Sequence, residues 1–188
     1  MEIFSVKKKK NTITQILNKC SSGNRKAQEH LYKDYYGYAM SISLRFSNSH
    51  DAAVEVLNDS FLKVFQFLSS KGVEGINDFK PWFRKIIINQ AIDHYRSNKN
   101  TDITYDEFLP DAELPEEVIS TMTAEDIILQ LQKLPDTYRI IFILYEIEGY
   151  SHKEISDRLS ISESACRKNL SRAKHLLRTI LLKAELHG

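Results

Sequence analysis

The residues best suited to bind a charged ligand lie near the C terminus, in the stretch "ESACRKNLSRAKHLL". At helical spacing, one side of this stretch carries a set of cations and a serine, namely Arg167, Lys168, Ser171, Arg172 and Lys174. Arginine can donate two parallel hydrogen bonds to guanine, and lysine mainly neutralises phosphate. The pattern predicts contact with DNA, although a basic helix face is also typical of a solvated surface.

A second short helix pattern precedes this face. Ser151 and Glu154 have the spacing of a capping box, Ile155 and Leu159 lie one turn apart, and Ser162 is placed to cap the next helix. A short helix, a tight turn and a helix with a basic outer side are typical of a helix-turn-helix, whose second helix enters the major groove. This spacing favours DNA binding over a plain solvated surface.

The helix before this motif is predicted to begin at Asp136, after Pro135, and to end at Gly149. One side of it is apolar and is expected to face a core, through Ile140, Ile141, Leu144 and Ile147.

A different chemistry is indicated by "FKPWFRKIIINQAIDHYRSNK", residues 79–99, where aromatic and basic residues interleave. Asn89, Asp93 and Arg96 fall on one helical face and can hydrogen-bond. Aromatic rings beside cations suit the capture of single-stranded nucleic acid, because bases stack while cations hold the backbone. Trp82 and most of the other aromatic residues are better explained as core.

The stretch "AVEVLNDSFLKVFQFL", residues 53–68, predicts another amphipathic helix. Glu55, Asn58 and Asp59 gather on its polar side, where they offer a contact surface or are ordinary exposed residues.

Composition limits the remaining possibilities. The chain has 188 residues, 42% of them hydrophobic, and a net charge of +1, so any nucleic-acid site must be a local patch. Its two cysteines lie far apart and form no metal-ligand cluster, so we expect no metal site and interpret them as small apolar fillers. No apolar run is long enough to cross a bilayer. The basic run at Lys7–Lys10 is interpreted as a solvated terminus.

The elements indicate an all-α chain with two helical domains, because glycine and proline are scarce and apolar residues recur every three or four positions. Residues 101–122 carry seven acidic residues and no lysine or arginine, which predicts an extended linker over 100–122. The predicted domains are therefore 12–99 and 123–186.

Together these segments resemble bacterial sigma factors of the small extracytoplasmic-function (ECF) class of the sigma-70 family. The motifs are "SGNRKAQEHLYKDYYGYAMSISLRF", "DAAVEVLNDSFLKVF", the 79–99 stretch and "LPDTYRIIFILYEIEGYSHKEISDRLSISESACRKNLSRAKHLL". Ser160 stands where this family often has glycine, Cys166 where valine is usual, and Asn58 where glutamine is common. A positive φ at Ser160 would be strained.

The resemblance implies a role for each set of residues. Glu55, Asn58 and Asp59 would contact the coiled coil of the largest polymerase subunit. Asn89, Asp93 and Arg96 would engage the minus-ten promoter element, and the loop over about 69–78 would pocket a flipped base. The basic face at Arg167 would read the minus-thirty-five element.

The implied protein is a cytoplasmic initiation factor without cofactor or catalytic residues. Its partners would be core RNA polymerase (coiled coil and flap), promoter DNA and an anti-sigma factor. The alternative is a helix-turn-helix regulator that acts without polymerase.

Overall fold

The computed structural model describes residues 13–97 and 123–185, and within these ranges all regular secondary structure is helical. This confirms the predicted all-α class. The predicted linker and the basic run at 7–10 lie outside the described residues.

The helices, numbered in chain order, have the following bounds. The N-terminal part contains α1 (13–21), α2 (Arg25–Phe46), α3 (His50–Lys71) and α4 (Phe79–Ser97). The C-terminal part contains α5 (Ala124–Gln132), α6 (Asp136–Phe142) with a π-helical extension (Ile143–Ile147), α7 (His152–Leu159) and α8 (Glu163–Glu185).

The described residues form two compact units. The first unit consists of residues 13–43 and 53–90, and the second of residues 44–52, 91–97 and 123–185. The chain passes between them within α2, α3 and α4.

The core of the first unit is aromatic. Phe83 is fully buried; its ring lies tilted against Phe61 at 4.8 Å and stacks on Phe79 at 5.3 Å between ring centroids. Tyr35 meets Phe79 edge-on at 4.7 Å. Such tilted ring pairs add to the free energy gained from burial alone, so they fix α2, α3 and α4 against each other.

Side-chain caps determine where these helices begin. Asn24 accepts a hydrogen bond from the Ala27 amide at 3.0 Å, and Ser49 accepts one from the Ala52 amide at 3.2 Å. Asp78 accepts one from the Lys80 amide at 3.3 Å, and α4 begins at Phe79. Each cap satisfies a backbone donor that has no partner within its helix.

The second unit contains a buried guanidinium. Arg139 is 1% exposed, pairs with the Asp136 carboxylate at 2.6 Å and donates to the Leu134 carbonyl at 3.0 Å. Burial lowers the pKa of Arg139, and Asp136 opposes that effect. A buried charge needs such partners, so Arg139 fixes the start of α6.

One core prediction was wrong. Ile140, Ile141 and Leu144 are buried as expected, but Ile147 is 39% exposed. The cause is the π-helical turn, in which the Glu148 amide donates to the carbonyl of Ile143, five residues earlier, at 3.0 Å. This wider turn rotates Ile147 off the buried side.

Both predicted caps of the helix-turn-helix are present. The Ser151 hydroxyl accepts from the Glu154 amide at 3.3 Å, while the Glu154 carboxylate accepts from the Ser151 amide at 2.8 Å. Ser162 Oγ accepts from the Ala165 amide at 3.1 Å.

Between these caps Ser160 adopts φ 55° and ψ 48°, the left-handed conformation that glycine takes without cost. It is the one non-glycine residue with positive φ among those described. The Ile161 amide donates to the Ser156 carbonyl at 3.1 Å and closes the end of α7. The tight turn is thus built on a strained serine.

We expect Ser160→Gly to raise the free energy of unfolding by about 0.5–1 kcal/mol, because it removes left-handed strain that outweighs the extra chain entropy of glycine. Urea unfolding followed by circular dichroism measures the change. Ser162→Ala serves as the matched control, since losing the cap should lower stability by about 1 kcal/mol. A destabilised Ser160→Gly protein would contradict the strain.

Candidate functional site

The helix-turn-helix is held together by a small apolar core. Ile155 and Leu159 of α7 are buried, as are Cys166 and Leu170 of α8. Because the remaining α8 core residues recur as Ala173, Leu177 and Leu181, α8 continues well past this motif with one side buried. The opposite side of its first turns is therefore presented outward.

Two of the predicted DNA-binding cations are plainly exposed. Arg167 and Lys168 lie outward on α8, and the side chain of Arg167 is 59% exposed. Arg167 pairs with the Glu163 carboxylate one turn earlier. Ser171 is half-buried beside them. The first turns of α8 thus offer a guanidinium, an ammonium and a hydroxyl to an external partner.

Lys174 is also on this side but is more enclosed. Its ammonium pairs with Glu146 of the π-helical turn at 2.8 Å, with both side chains about one-third exposed (31% and 32%). The pair connects α8 to the preceding helix. An external anion would have to compete with Glu146 for this ammonium.

Arg172 does not lie on the exposed face, which corrects the prediction for that residue. It is 6% exposed. Since α8 packs against α5, α6 and α7, its buried arc is wider than the single stripe assumed from the sequence. The helical rotation places Arg172 at the edge of that arc, where its long side chain is covered.

His152 packs against α8. Its ring stacks on Tyr145 at 4.4 Å and 18°, and Nδ1 lies 3.6 Å from Cys166 Sγ. Desolvation, and then the charge of Arg167, lower the pKa of His152. The lowered pKa favours the neutral form of the imidazole, and the ring packs flat on Tyr145. Burial raises the pKa of the Cys166 thiol, so it is a poor thiolate source, as expected of an apolar filler.

Helix α4 carries Asn89, Asp93 and Arg96, and all three are exposed. Asn89 lines a surface groove of about 380 Å³ between α3 and α4. The other lining residues combine an aromatic ring, amides, a hydroxyl and a cation, namely Lys63, Gln66, Phe67, Ser70, Ile86 and Gln90. The rings of Phe67 and Trp82 pack together at 5.0 Å between their centroids, and Trp82 is half-buried. This mixture suits a planar, hydrogen-bonding ligand such as a nucleobase.

The groove lies beside the loop over about 69–78, for which the family resemblance implies a base pocket. That loop follows α3 and turns at Gly72 and Gly75, whose φ angles are 68° and 81°. Of the predicted loop range, Ser70 lines the groove, and the rest of the lining comes from the two helices.

The polar side of α3 is exposed as predicted. Glu55, Asn58 and Asp59 all face outward, and Asn58 Oδ1 accepts a hydrogen bond from the Tyr32 hydroxyl at 3.0 Å. Leu62, one turn further, is 54% exposed. Acidic and amide groups beside an exposed leucine form a surface that suits a protein partner.

Two family models match the chain in order. "Sigma-70 region 2" matches residues 31–101, and "Sigma-70, region 4" matches residues 124–177. Together they cover more than half of the 188 residues. The chain belongs to the sigma-70 family.

Its relatives include several RNA polymerase sigma factors. The Bacillus subtilis sigma factor YlaC is 28% identical over 86% of this chain and 95% of its own length. SigV of the same organism is 27% identical over 95% and 99%. The ECF sigma factor SigW, also from Bacillus subtilis, is 25% identical over 70% and 75%. The ECF class of the sigma-70 family predicted from the sequence is confirmed.

The region boundaries place the candidate residues within this sigma fold. Region 2 contains the exposed face of α3 and the three polar residues of α4. Region 4 contains α5, α6, α7 and the first four turns of α8, including Arg167 and Lys168.

Sequence reasoning missed some exposed members of these faces. Ser164 and Arg178 are exposed on α8, and their helical positions extend the face of Arg167 in both directions. The sequence contains a signal for these residues. The apolar positions of α8 continue to Leu181, so the opposite, polar side of the helix also extends that far. Leu62 was likewise visible as an apolar residue one turn after Asn58.

Within residues 13–97 and 123–185, no group of His, Cys, Asp and Glu side chains is arranged to hold a metal ion. No described helix is long and apolar enough to span a membrane.

We expect the stability of this sigma chain to fall as the pH drops below about 6.5, the usual pKa of histidine. Because the folded pKa of His152 is lowered, the unfolded chain binds the proton first, and the free energy of unfolding decreases until the folded pKa is passed. Urea unfolding at pH 7.5 and 5.5 measures this. His152→Phe keeps a flat ring on Tyr145 and should show a smaller pH dependence; an identical dependence in both proteins would rule out this role.

Proposed function

We propose that this chain binds core RNA polymerase and directs it to specific promoters as an ECF sigma factor. The observation that carries the proposal is the presence, in order along one chain, of both sigma-70 regions. One region suits polymerase and the opened minus-ten element, and the other suits duplex DNA at the minus-thirty-five element. The factor itself is not a catalyst; it locates the start site for the polymerase.

Region 4 would read the minus-thirty-five element in the major groove. The support is the capped helix-turn-helix with Arg167, Lys168 and Ser171 on the outward side of α8. Arg167 has the donor geometry to read guanine, and Lys168 and Lys174 would contact phosphate. Arg172 is assigned a packing role instead, because it is buried.

Region 2 would capture the minus-ten strand as it separates. Asn89, Asp93 and Arg96 are exposed along α4, and Asn89 opens onto the groove beside Phe67. Extruding a base costs a few kcal/mol, so ring stacking and amide hydrogen bonds are needed to offset it. The groove at Phe67 and Asn89 offers both kinds of contact.

The exposed face of α3 would bind the coiled coil of the largest polymerase subunit. Glu55 and Asp59 supply negative charge, and Leu62 adds an apolar contact at the same face. Region 4 would contact the polymerase flap. With both domains held by one enzyme, their individually weak DNA contacts act at high effective concentration.

The remaining assignments extend the same proposal. The domains would be 12–99 and 123–186, joined by an acidic linker over 100–122 and working in the cytoplasm. An anti-sigma factor would control the pair. A stand-alone helix-turn-helix regulator is not favoured, because it would leave the region 2 match without a purpose.

Asp59→Lys is expected to weaken binding to core polymerase by about tenfold, because it reverses a charge at the proposed contact. Fluorescence anisotropy of labelled chain titrated with sigma-free core polymerase measures this. Asp34→Lys on α2 is the control, since it makes the same charge change at another exposed position. Equal affinities for the two variants would refute the α3 contact.

Arg167→Ala is expected to cost about 1–3 kcal/mol of discrimination at one base pair of the minus-thirty-five element, since a bidentate base contact is lost. Lys168→Ala should weaken initiation similarly at all promoters, because phosphate contacts carry no sequence information. Transcription in vitro with reconstituted holoenzyme on promoters randomised at that element separates the two. A uniform loss with Arg167→Ala would move that residue to phosphate.

A further inference from the structure

Two cations on the DNA side of α8 are already paired with carboxylates. Arg167 is bound by Glu163, which lies in the first turn of the same helix. Lys174 is bound by Glu146 at 2.8 Å, from a different element. Acidic residues next to phosphate repel DNA, so their position on a DNA-binding face calls for a compensating role.

The guanidinium of Arg167 has more donors than Glu163 can use. A guanidinium presents five N–H donors in a planar fork, and Glu163 Oε1 accepts from one terminal nitrogen, Nη2. The remaining donors can reach a base while the carboxylate holds Nη2. Such a brace restricts the rotamers of a long side chain before DNA arrives, and so lowers the entropy cost of base contact.

The same carboxylate opposes a non-specific use of Arg167. At a site without guanine, which alone offers two adjacent acceptors to a guanidinium, Arg167 would turn toward phosphate. This movement would separate it from Glu163 and leave that carboxylate near the DNA backbone. At a site with guanine, the ion pair and the base contact would coexist, because Glu163 uses only Nη2 of the guanidinium. The brace therefore penalises wrong sites more than right ones.

We propose that Glu163 is a positioning residue that directs Arg167 toward a base and away from phosphate, and so sets promoter discrimination at the minus-thirty-five element. This inference rests on the proposed function of region 4. Glu146 provides a contrast within the chain: it restrains Lys174, an ammonium without a planar fork, and so lowers affinity for all sequences alike.

The test uses full-length chain, core polymerase and a promoter library randomised at the minus-thirty-five element. With Glu163→Gln, we expect discrimination at the base read by Arg167 to fall about two- to fivefold, the range of an exposed ion pair, mainly because transcription from mismatched promoters rises. With Glu146→Gln, transcription should rise alike at matched and mismatched promoters. Asp157→Asn, an exposed residue of α7, controls for the loss of one negative charge and should leave discrimination unchanged.

A double-mutant comparison separates positioning from general charge. In an Arg167→Lys background the fork is absent, so adding Glu163→Gln should no longer alter discrimination, while any charge effect on overall affinity persists. An unchanged or improved discrimination with Glu163→Gln alone, or an equal loss with Asp157→Asn, would overturn the inference. Failure of wild-type chain to start any transcript would instead refute the proposed function itself.

Discussion

The outward face of α8 depends on the tight turn between α7 and α8. Ser160 in the left-handed conformation, closed by the Ile161 amide on the Ser156 carbonyl, ends α7 and allows α8 to begin within three residues. Ser162 caps α8, and Cys166 and Leu170 then bury its inner side. With the turn and that stripe fixed, the outward direction of Arg167 follows from helix geometry.

Three arginines of the second unit differ in how far their side chains are buried. Arg139 and Arg172 are covered, and Arg139 is held by Asp136 and a backbone carbonyl. Arg167 remains exposed with a carboxylate neighbour. A buried guanidinium fixes local structure because its desolvation must be compensated by specific partners, whereas an exposed one can exchange its partner for DNA.

In the first unit, the buried and exposed sides of the helices carry different kinds of residue. Aromatic rings on facing sides of α2, α3 and α4 form the core, which leaves the polar sides of α3 and α4 outward. One exposed side carries Asp59 and Leu62, and the other carries Asn89 beside the groove. We propose the first face for polymerase and the second for an unpaired strand, and the packing holds both faces on rigid helices.

The sequence by itself determined the helical class, the sigma-70 motifs, both caps of the helix-turn-helix and most exposed candidates. These features follow from the spacing of apolar residues and from hydrogen bonds between residues three positions apart. Both can be read from the order of residues in the sequence. Only the tertiary structure decided that Arg172 is covered, that Ile147 leaves the core through a π-helical turn, and that Glu146 reaches Lys174. The burial of Arg172 and the Glu146–Lys174 pair depend on how many elements pack around α8 and on contacts between residues far apart in sequence. The exposure of Ile147 depends on a backbone hydrogen bond from Glu148 to Ile143. Side-chain spacing along one helix carries no information about any of these.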